Sequence, residues 1–405
     1  MKQKIIVHVD GNNFFASCEV LMNPSLKGKA ICVLSNNDGC VVARSNEAKK
    51  MGIPMGIPYF MAKNKFSNVV YLSADFALYQ DISSRMMQLL YRYTDKVDIY
   101  SIDEAFLDVT EFQKAFGLSF LEFAKKIKSD IENEIGLSVS VGIAPSKVLA
   151  KLATHKAKST NGYYVIKKSL IHNELERVPI EEIWGIGTNT TRSLKKFGIF
   201  YANQILSKDD EFYKINYGKR GMELKYELSG ESVIPLTGIA EKPKSIQRTR
   251  AFPEFSSDKK YIKTEIMLHL HSVCKKLREY SLKTNSIAVM LRTKDFQIQY
   301  LEDKIDFMTD SEIVLAQKVF SLFEKIYRKG IIYRSSGVLA FSLSDIEEKN
   351  QLQLFTDEKN DKCQKLSVIL DKIENKYGKG VLMAGDLAIK SIRDKHKRQL
   401  NHREI

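Results

Sequence analysis

Three acidic residues are the side chains best suited to chemistry in this chain. Asp10 follows the apolar run 4–9, and Asp103 and Glu104 lie between two alternating segments. If these segments are neighbouring strands, the three carboxylates converge at one sheet edge and need cations to offset their charge. Oxygen ligands suit Mg²⁺, and two ions about 4 Å apart can carry phosphoryl transfer. A lone acid at a strand end is more often a solvated turn residue, so the surrounding pattern must decide.

The segments around these acids predict strands and helices that alternate through the first 165 residues. The β-branched run 4–9 predicts a strand ending at Asp10, and alternation on both sides of Asp103 predicts two antiparallel strands. Residues 30–34 and 40–44 flank a polar turn and predict a hairpin, followed by a short helix over 46–51. An amphipathic helix over 120–135, a strand over 137–141 and a helix from Ser146 to about Lys158 complete an α/β (α+β) pattern of a helix-backed sheet.

Composition and charge limit the classes of protein that the chain could represent. With 405 residues, 44% of them hydrophobic, two to four cored domains are expected. Sixty-three basic against 49 acidic residues give a net charge of +14, which favours an anionic partner such as nucleic acid or a membrane surface, although a well-solvated globule remains an alternative. The five cysteines form no Cys-x-x-Cys pair, and no apolar run approaches the ~20 residues of a membrane span. A cytoplasmic protein without zinc is therefore predicted.

Four motifs in order carry a resemblance to a known family. They are VDGNNFFASCE, SNNDGCVVARSNEAKKMG, YSIDEAFLDV and VSVGIAPSKVLAKLATHKAK. Together they resemble the Y-family (translesion) DNA polymerases, most closely the UmuC-like branch, to which the catalytic subunit of DNA polymerase V belongs. Four motifs in the expected order are far more specific than any one of them.

The resemblance implies a right-hand polymerase made of several domains. The implied boundaries are 1–18 and 78–165 for a catalytic palm, 19–77 for fingers, 166–236 for a thumb, 237–244 for a linker, 245–344 for a little finger and 345–405 for a clamp-binding peptide with a UmuC-type extension. The implied activity is error-prone, template-directed DNA synthesis across lesions in the DNA damage (SOS) response, with transfer of a nucleotide to a primer 3′ end.

The resemblance also assigns roles to individual residues. It places two Mg²⁺ ions, for which Mn²⁺ could substitute, on Asp10, Asp103, Glu104 and the main chain of Gly11. A flat ring under the incoming sugar leaves no room for a 2′ hydroxyl, which makes Phe15 the expected steric gate. The expected nucleotide-binding residues are Phe14, Phe15, Arg44, Lys49 and Lys158.

Basic residues beyond these motifs predict contacts with phosphates. Lys147, Lys151 and Lys158 fall within about 40° on a helical wheel and form a stripe that suits polyphosphate, although such stripes are more often solvated faces. A segment resembling a helix-hairpin-helix and a cationic strand predict DNA-binding residues, namely Gly185, Gly187, Arg192, Lys195, Arg248 and Arg250.

Partners follow from the same resemblance. Primer–template DNA and deoxynucleoside triphosphates are the expected substrates. The peptide containing Gln351, Leu352, Leu354 and Phe355 resembles those that bind the β sliding clamp, although a pentapeptide could be an edge strand. A UmuD-like subunit and a recombinase filament are further candidate partners, and no membrane is expected.

Other functions remain open from the sequence. A non-catalytic DNA-binding or checkpoint protein acting at stalled forks could use the same fold, although the three intact acids argue against it. A nucleotidyl cyclase could share the two-metal palm, but it would gain nothing from the basic C-terminal half. His269 and His271 are two residues apart on a predicted helix and therefore point in different directions, which favours structural histidines over a metal site.

Overall fold

The computed structural model describes residues 3–35, 38–111, 117–236 and 242–345, together with 369, 371–373 and 376. Two compact units divide the chain, Met1–Ala240 and Glu241–Gln399, and each contains a hydrophobic core of its own. The predicted clamp peptide at 351–355 lies outside the described residues.

Eight strands in the described part of the first unit form two sheets. They are β1 (Ile6–Gly11), β2 (Ile31–Leu34), β3 (Val41–Arg44), β4 (Val70–Ser73), β5 (Val97–Ile99), β6 (Glu104–Asp108), β7 (Val139–Ala144) and β8 (Tyr163–Val165). The larger sheet has the order β5-β6-β1-β7-β8, and the smaller has the order β3-β2-β4. The predicted hairpin is confirmed by the antiparallel pairing of β2 with β3. The strand predicted at 137–141 instead begins at Val139 and continues to Ala144, because it pairs with β1 along its full length.

The described residues of the first unit also form ten α-helices. They are α1 (Phe14–Met22), α2 (Asn46–Lys50), α3 (Tyr59–Lys65), α4 (Phe76–Leu90), α5 (Phe120–Ile135), α6 (Lys147–Ala157), α7 (Ile171–Leu175), α8 (Thr188–Lys196), α9 (Ala202–Ile205) and α10 (Asp210–Ser229). The predicted amphipathic helix is confirmed as α5, whose N-terminus is closed by a capping box between Ser119 and Glu122. The side chain of Ser146 caps α6, as the sequence predicts.

The two faces of the larger sheet have different neighbours. Val7 and Val9 face the core that includes α1, α4 and α5, whereas Ile6 faces the core that includes α6 and the helices after it. Because side chains alternate along a strand, His8 and Asp10 share the α6 face with Ile6. The acid at the end of β1 is thus placed beside the lysines of α6.

Residues 242–345 of the second unit form a sheet with two helices on one face. Its elements are β9 (Ile246–Ser256), α11 (Lys259–Glu279), β10 (Leu282–Thr293), β11 (Ile298–Thr309), α12 (Glu312–Ile326), β12 (Tyr333–Phe341) and β13 (Ser344–Asp345). The sheet has the order β11-β10-β12-β9, and β13 pairs with β10. Residues of α11 and α12 share one core with Val289 and Val338. The described residues contain no helix long and apolar enough to cross a membrane.

Candidate active site

Strand register brings the three acidic residues to one edge of the larger sheet. Asp10 of β1 lies directly opposite Glu104 of β6. The backbone N–H of Gly11 donates to the carbonyl oxygen of Asp103 at 2.9 Å, which fixes the position of the turn between β5 and β6. The convergence predicted from the sequence therefore follows from antiparallel pairing of two strands.

The chain after β1 is held in a tight reversal. A Cβ on Gly11 would lie 2.9 Å from Cδ2 of Phe14, so the close approach of these residues requires glycine. Asn13 adopts a left-handed conformation with φ 50° immediately before α1. The side chain of Asn12 donates to Ser138 Oγ at 3.1 Å, and its oxygen accepts from Ser140 Oγ at 2.9 Å. These bonds fix the loop that follows Asp10.

Two lysines from the end and middle of α6 neutralise two of the acids. Lys158 Nζ lies 2.6 Å from Asp10 Oδ1, and Lys151 Nζ lies 2.8 Å from Glu104 Oε2. Ser101 Oγ donates to Asp103 Oδ1 at 2.6 Å, a support that the sequence analysis missed and that the short Ser-x-Asp spacing could have indicated.

The predicted lysine stripe is wrong for its first member. Lys147 is 4% exposed and pairs with Asp98, and its ammonium also donates to the carbonyl oxygen of Pro235 at 2.7 Å. A buried and fully engaged ammonium cannot serve a polyphosphate. Lys151 and Lys158 face the acids.

The electrostatics of Asp10 and Glu104 differ although the two residues are paired. Burial raises the pKa of Asp10 to about 6 against the opposing charge of Lys158, with a contribution from the neighbouring acids. Burial acts in the same direction on Glu104, but hydrogen bonding and charge from His8 and Lys151 outweigh it and lower its pKa to about 2. Burial lowers the pKa of His8. The Lys151 ammonium, 2.8 Å from Glu104 Oε2, lies closer to that carboxylate than His8 Nε2 does at 3.8 Å.

The donor set fits hard divalent cations. Three carboxylates and the Gly11 main chain at one edge offer oxygen ligands only, as Mg²⁺ or Mn²⁺ prefers. Within the described residues, no three His, Cys, Asp or Glu side chains are arranged around one metal position. Lys158 pairs with Asp10, and Lys151 pairs with Glu104. Metal ions would take the place of these two ammonium groups.

The aromatic pair after β1 divides into a core residue and a surface residue. Phe14 is 3% exposed and packs beneath Gly11, and its role in nucleotide binding stays a prediction. Phe15 is half-buried and stacks on Tyr79, with ring centroids 4.4 Å apart and planes 14° apart. The Tyr79 hydroxyl donates to the buried carboxylate of Glu19. The sequence did not predict this support, because Tyr79 and Glu19 are 60 residues apart and no local pattern links them.

Basic residues of the smaller sheet and α2 approach the same edge. The Lys49 ammonium donates to Asn13 Oδ1, and Arg44 donates to the carbonyl oxygen of Ile53. Burial lowers the pKa of Lys49, and the positive charges of Arg44 and Lys158 lower it further. The expected triphosphate-binding residues Arg44, Lys49 and Lys158 thus form one electrostatic group.

The predicted helix-hairpin-helix glycines lie at the N-terminus of α8. Gly185 has φ 95°, and Gly187 is the residue before α8 with no side-chain cap on the helix. Gly185, Gly187 and Arg192 are exposed, whereas Lys195 is paired with Glu181 at 3.0 Å. Open backbone N–H groups at this position suit a phosphate.

The cations predicted on the strand β9 lie on the face of the sheet that the helices cover. Arg248 pairs with Val338 and Arg250 with Ser336, in register with the buried core side of β12. Because β9 is the edge strand, Arg248 is nevertheless exposed, whereas Arg250 is half-buried. The predicted structural role of His271 is supported by its contact with Glu312, 2.8 Å away.

Comparison with known proteins identifies the family. Residues 9–155 match the impB/mucB/samB family, and residues 243–354 match the C-terminal domain of the same family. The chain is 34% identical to the protein UmuC of Salmonella typhimurium over 92% of this chain and 91% of that protein. It is 29% identical to DNA polymerase IV 1 of Bacillus subtilis over 95% of this chain and 93% of that protein.

Solved structures agree with these sequence relatives. A Y-family DNA polymerase chimera of Dbh and Dpo4 has a TM-score of 0.69 at 29% identity, covering 84% of this chain and 99% of that one. An insertion ternary complex of Dbh DNA polymerase has a TM-score of 0.57 at 30% identity, covering 83% of this chain and 98% of that one. The right-hand fold expected from the sequence is confirmed by these matches. This chain belongs to the impB/mucB/samB family of Y-family DNA polymerases.

Proposed function

We propose that this polymerase performs error-prone, template-directed synthesis across damaged DNA, transferring deoxynucleotides to a primer 3′ end with two Mg²⁺ ions. The observation that carries the proposal is the register of Asp10 with Glu104, which converges three carboxylates beside Lys158. The relatives named UmuC and DNA polymerase IV support the same activity. Divalent metal dependence is general in the family, and oxygen-only ligands favour Mg²⁺, with Mn²⁺ as a substitute.

The chain's own residues would act by positioning and by charge. Asp10, Asp103, Glu104 and the Gly11 carbonyl would hold the two ions, which would activate the 3′ oxygen and offset charge on the triphosphate. With a divalent ion held by Asp10, the Lys158 ammonium would be available to the triphosphate, together with Lys49 and Arg44. The ion pairs in the structure would therefore keep the phosphate-binding cations in place until substrate arrives.

Phe15 would select deoxyribonucleotides by shape. Its ring rests on Tyr79, which is itself fixed by Glu19, so the ring cannot retreat from a 2′ hydroxyl. Rigid backing is what steric exclusion requires, because a mobile ring would yield to the larger sugar.

The remaining segments take roles that follow from this activity. We assign the palm to 1–18 and 78–165, fingers to 19–77, thumb to 166–236 and little finger to 245–344. The exposed α8 N-terminus and the cations of β9 would hold primer–template phosphates without reading sequence. The peptide at Gln351 to Phe355 would bind the sliding clamp, and a UmuD-like subunit and recombinase filament would activate the enzyme during the SOS response in the cytoplasm.

Primer extension with Mg²⁺ and deoxynucleotides tests the proposal. Asp103→Ala removes one metal ligand and is expected to reduce extension on the order of 10³-fold. Asp108→Asn is the matched control, because Asp108 lies at the other end of the same strand pair, opposite Ile6. Absence of extension by the wild type, with clamp and candidate partners added, would favour a non-catalytic role at stalled forks.

A further inference from the structure

Two aromatic rings lie beside Glu104 and come from distant parts of the first unit. Tyr100 precedes the turn that carries the acids, and Trp184 belongs to the loop before α8. Their ring centroids are 5.4 Å apart at 87°, and Trp184 Nε1 donates to the Tyr100 hydroxyl at 3.3 Å. The two rings therefore form two walls of one site.

Lys151 occupies this site. Its ammonium is 4.7 Å from the centroid of Tyr100 and 5.5 Å from that of Trp184, while it also pairs with Glu104 at 2.8 Å. Contacts with an aromatic face weaken towards the outer limit of about 6 Å, so the ammonium is closer to its best position on the carboxylate than on Trp184.

Lys147 lies on the same helix and differs from Lys151 because its contacts hold it in place. Its ammonium also lies over a ring, 5.2 Å from Phe106, but a carboxylate and a carbonyl oxygen hold it and its side chain is 5% exposed. The Lys151 side chain is 24% exposed, and its anionic partner Glu104 belongs to the predicted metal site. Metal binding would leave Lys147 where it is and would displace Lys151.

We propose that Tyr100 and Trp184 form a cation cage that receives the Lys151 ammonium when a divalent metal ion replaces it on Glu104. The inference depends on the proposed two-metal function and deepens it by naming Trp184 as a positioning residue. An ammonium left beside a metal ion would repel it, whereas the electron-rich rings stabilise the ammonium a short distance away. The cage thus favours the metal-bound arrangement of the site.

The backbone around Trp184 connects this cage to the loop assigned to DNA. Ile183 and Ile186 are buried on either side of it, and Gly185 follows with φ 95°. The indole is therefore fixed by the same loop that presents Gly187 and the α8 N-terminus. Movement of this loop would change how readily the carboxylates accept metal.

A double-mutant cycle read by metal binding tests the cage. Mn²⁺ binding is measured by electron paramagnetic resonance of the free ion. Only the binding that disappears in Asp103→Ala is assigned to the acidic edge. Trp184→Ala is expected to weaken this binding about threefold to tenfold, because the displaced ammonium loses a wall of its site. Lys151→Met is expected to strengthen it by a similar factor, because the competing cation is gone. In the Lys151→Met background, Trp184→Ala is expected to have no further effect.

Intrinsic fluorescence gives a second readout, since Trp184 is the one tryptophan of the sequence. Addition of Mg²⁺ to the wild type is expected to produce a saturable change in its emission as Lys151 moves onto the indole. Lys151→Met should abolish this change. Lys225→Met is the matched control and should retain it, because Lys225 pairs with Asp210 at 2.6 Å on α10. Trp184→Phe retains a ring and should bind Mn²⁺ with an affinity between those of wild type and Trp184→Ala.

The outcomes separate this inference from the proposed function. If Trp184→Ala lowers Mn²⁺ affinity equally in the wild type and in Lys151→Met, the indole only supports the fold. That result would overturn the cage. If the wild type binds Mn²⁺ through Asp103 but extends no primer, the polymerase activity is refuted. The double-mutant cycle then still decides whether the cage exists.

Discussion

The acidic edge of the first unit and the cationic strands of the second unit follow the same strand geometry with opposite results. Asp10 and Glu104 are direct partners on neighbouring strands, so their charges meet on one face. Arg248 pairs with Val338 on the helix-covered face, whereas Arg292 pairs with Ser335 on the other face. Charged residues converge only where register and alternation agree, which gathers the first set at one edge and spreads the second set over a surface.

Convergence also changes the chemistry of the side chains. Asp10, buried among other acids, has its pKa raised to about 6, while Glu104 beside Lys151 has its pKa lowered to about 2. One pair of adjacent carboxylates therefore contains one acid that resists ionisation and one that favours it. A divalent cation would offset the cost of ionising Asp10.

The largest expected effect outside the metal ligands concerns Phe15, the expected steric gate. Phe15→Ala removes the ring that rests on Tyr79, and discrimination against ribonucleotides is expected to fall about 10²-fold. The measurement is single-nucleotide insertion with deoxy- and ribonucleoside triphosphates. Phe15→Tyr keeps a flat ring and should keep the discrimination. A ribonucleotide preference unchanged in Phe15→Ala would place the gate elsewhere.

A smaller effect is expected from the cation paired with Asp10. Lys158→Met should raise KM for the incoming nucleotide about tenfold, because one charge-assisted contact to the triphosphate is lost. Steady-state insertion kinetics measure this change. Lys156→Met is the control, because Lys156 is two residues away but pairs with Glu174 on α7. If kcat falls and KM stays constant, Lys158 acts on Asp10 and not on the nucleotide.

Adjacent acids with opposite pKa shifts predict opposite effects on stability. The raised pKa of Asp10 means that its contribution to metal-free stability is present below pH 4 and lost as the pH rises through about 6. Asp10→Asn should therefore stabilise the protein in EDTA at pH 8 by roughly 1–3 kcal/mol, with a smaller gain at pH 5.

Glu104 behaves in the reverse way. Its lowered pKa contributes stability above about pH 4.5 that is lost as the pH falls through about 2. Glu104→Gln should destabilise the protein by a similar amount at both pH 5 and pH 8. Urea denaturation of both variants at the two pH values measures the contrast. A pH-independent effect of Asp10→Asn would contradict the raised pKa.

Much of the acidic edge could be predicted from the sequence because its determinants are local. A β-branched run ending at Asp10, alternation on both sides of Asp103 and a capping serine at Ser146 each act within a few residues. These signals fix the strands, and the strands fix the acids. Lys147 shows the limit, since helical spacing placed it with Lys151 but its burial depends on Asp98 and Pro235, which are distant in the chain.

The parts that could not be predicted depend on long-range packing. Phe14 and Phe15 are adjacent and chemically identical, yet one is buried beneath Gly11 and the other stacks on Tyr79 from α4. Which face of a sheet is covered is likewise decided by α11 and α12 and not by β9 itself. Alternation reveals that two residues share a face, but it does not reveal which face receives the helices.

The smallest expected effect tests the distributed cations of the second unit. Arg248 is exposed on the edge strand, whereas the Arg292 guanidinium lies 4.8 Å from the ring of Phe296. We expect Arg248→Ala to weaken primer–template binding about threefold and to reduce the slope of log affinity against log salt by about one. Arg292→Ala is expected to leave the slope unchanged. Fluorescence anisotropy over a series of NaCl concentrations measures both.

Comparison of the Arg248→Ala and Arg292→Ala variants indicates which face of the second sheet contacts DNA. A reduced slope in Arg292→Ala alone would move the contact to the face that the helices leave uncovered. Equal reductions in both variants would mean that DNA phosphates reach cations on both faces of the sheet, one on the edge strand β9 and one on the interior strand β10. In that case cations from both faces would act on one ligand, and the contrast with the acidic edge would be one of ligand size, because a DNA backbone spans a sheet that a metal ion cannot.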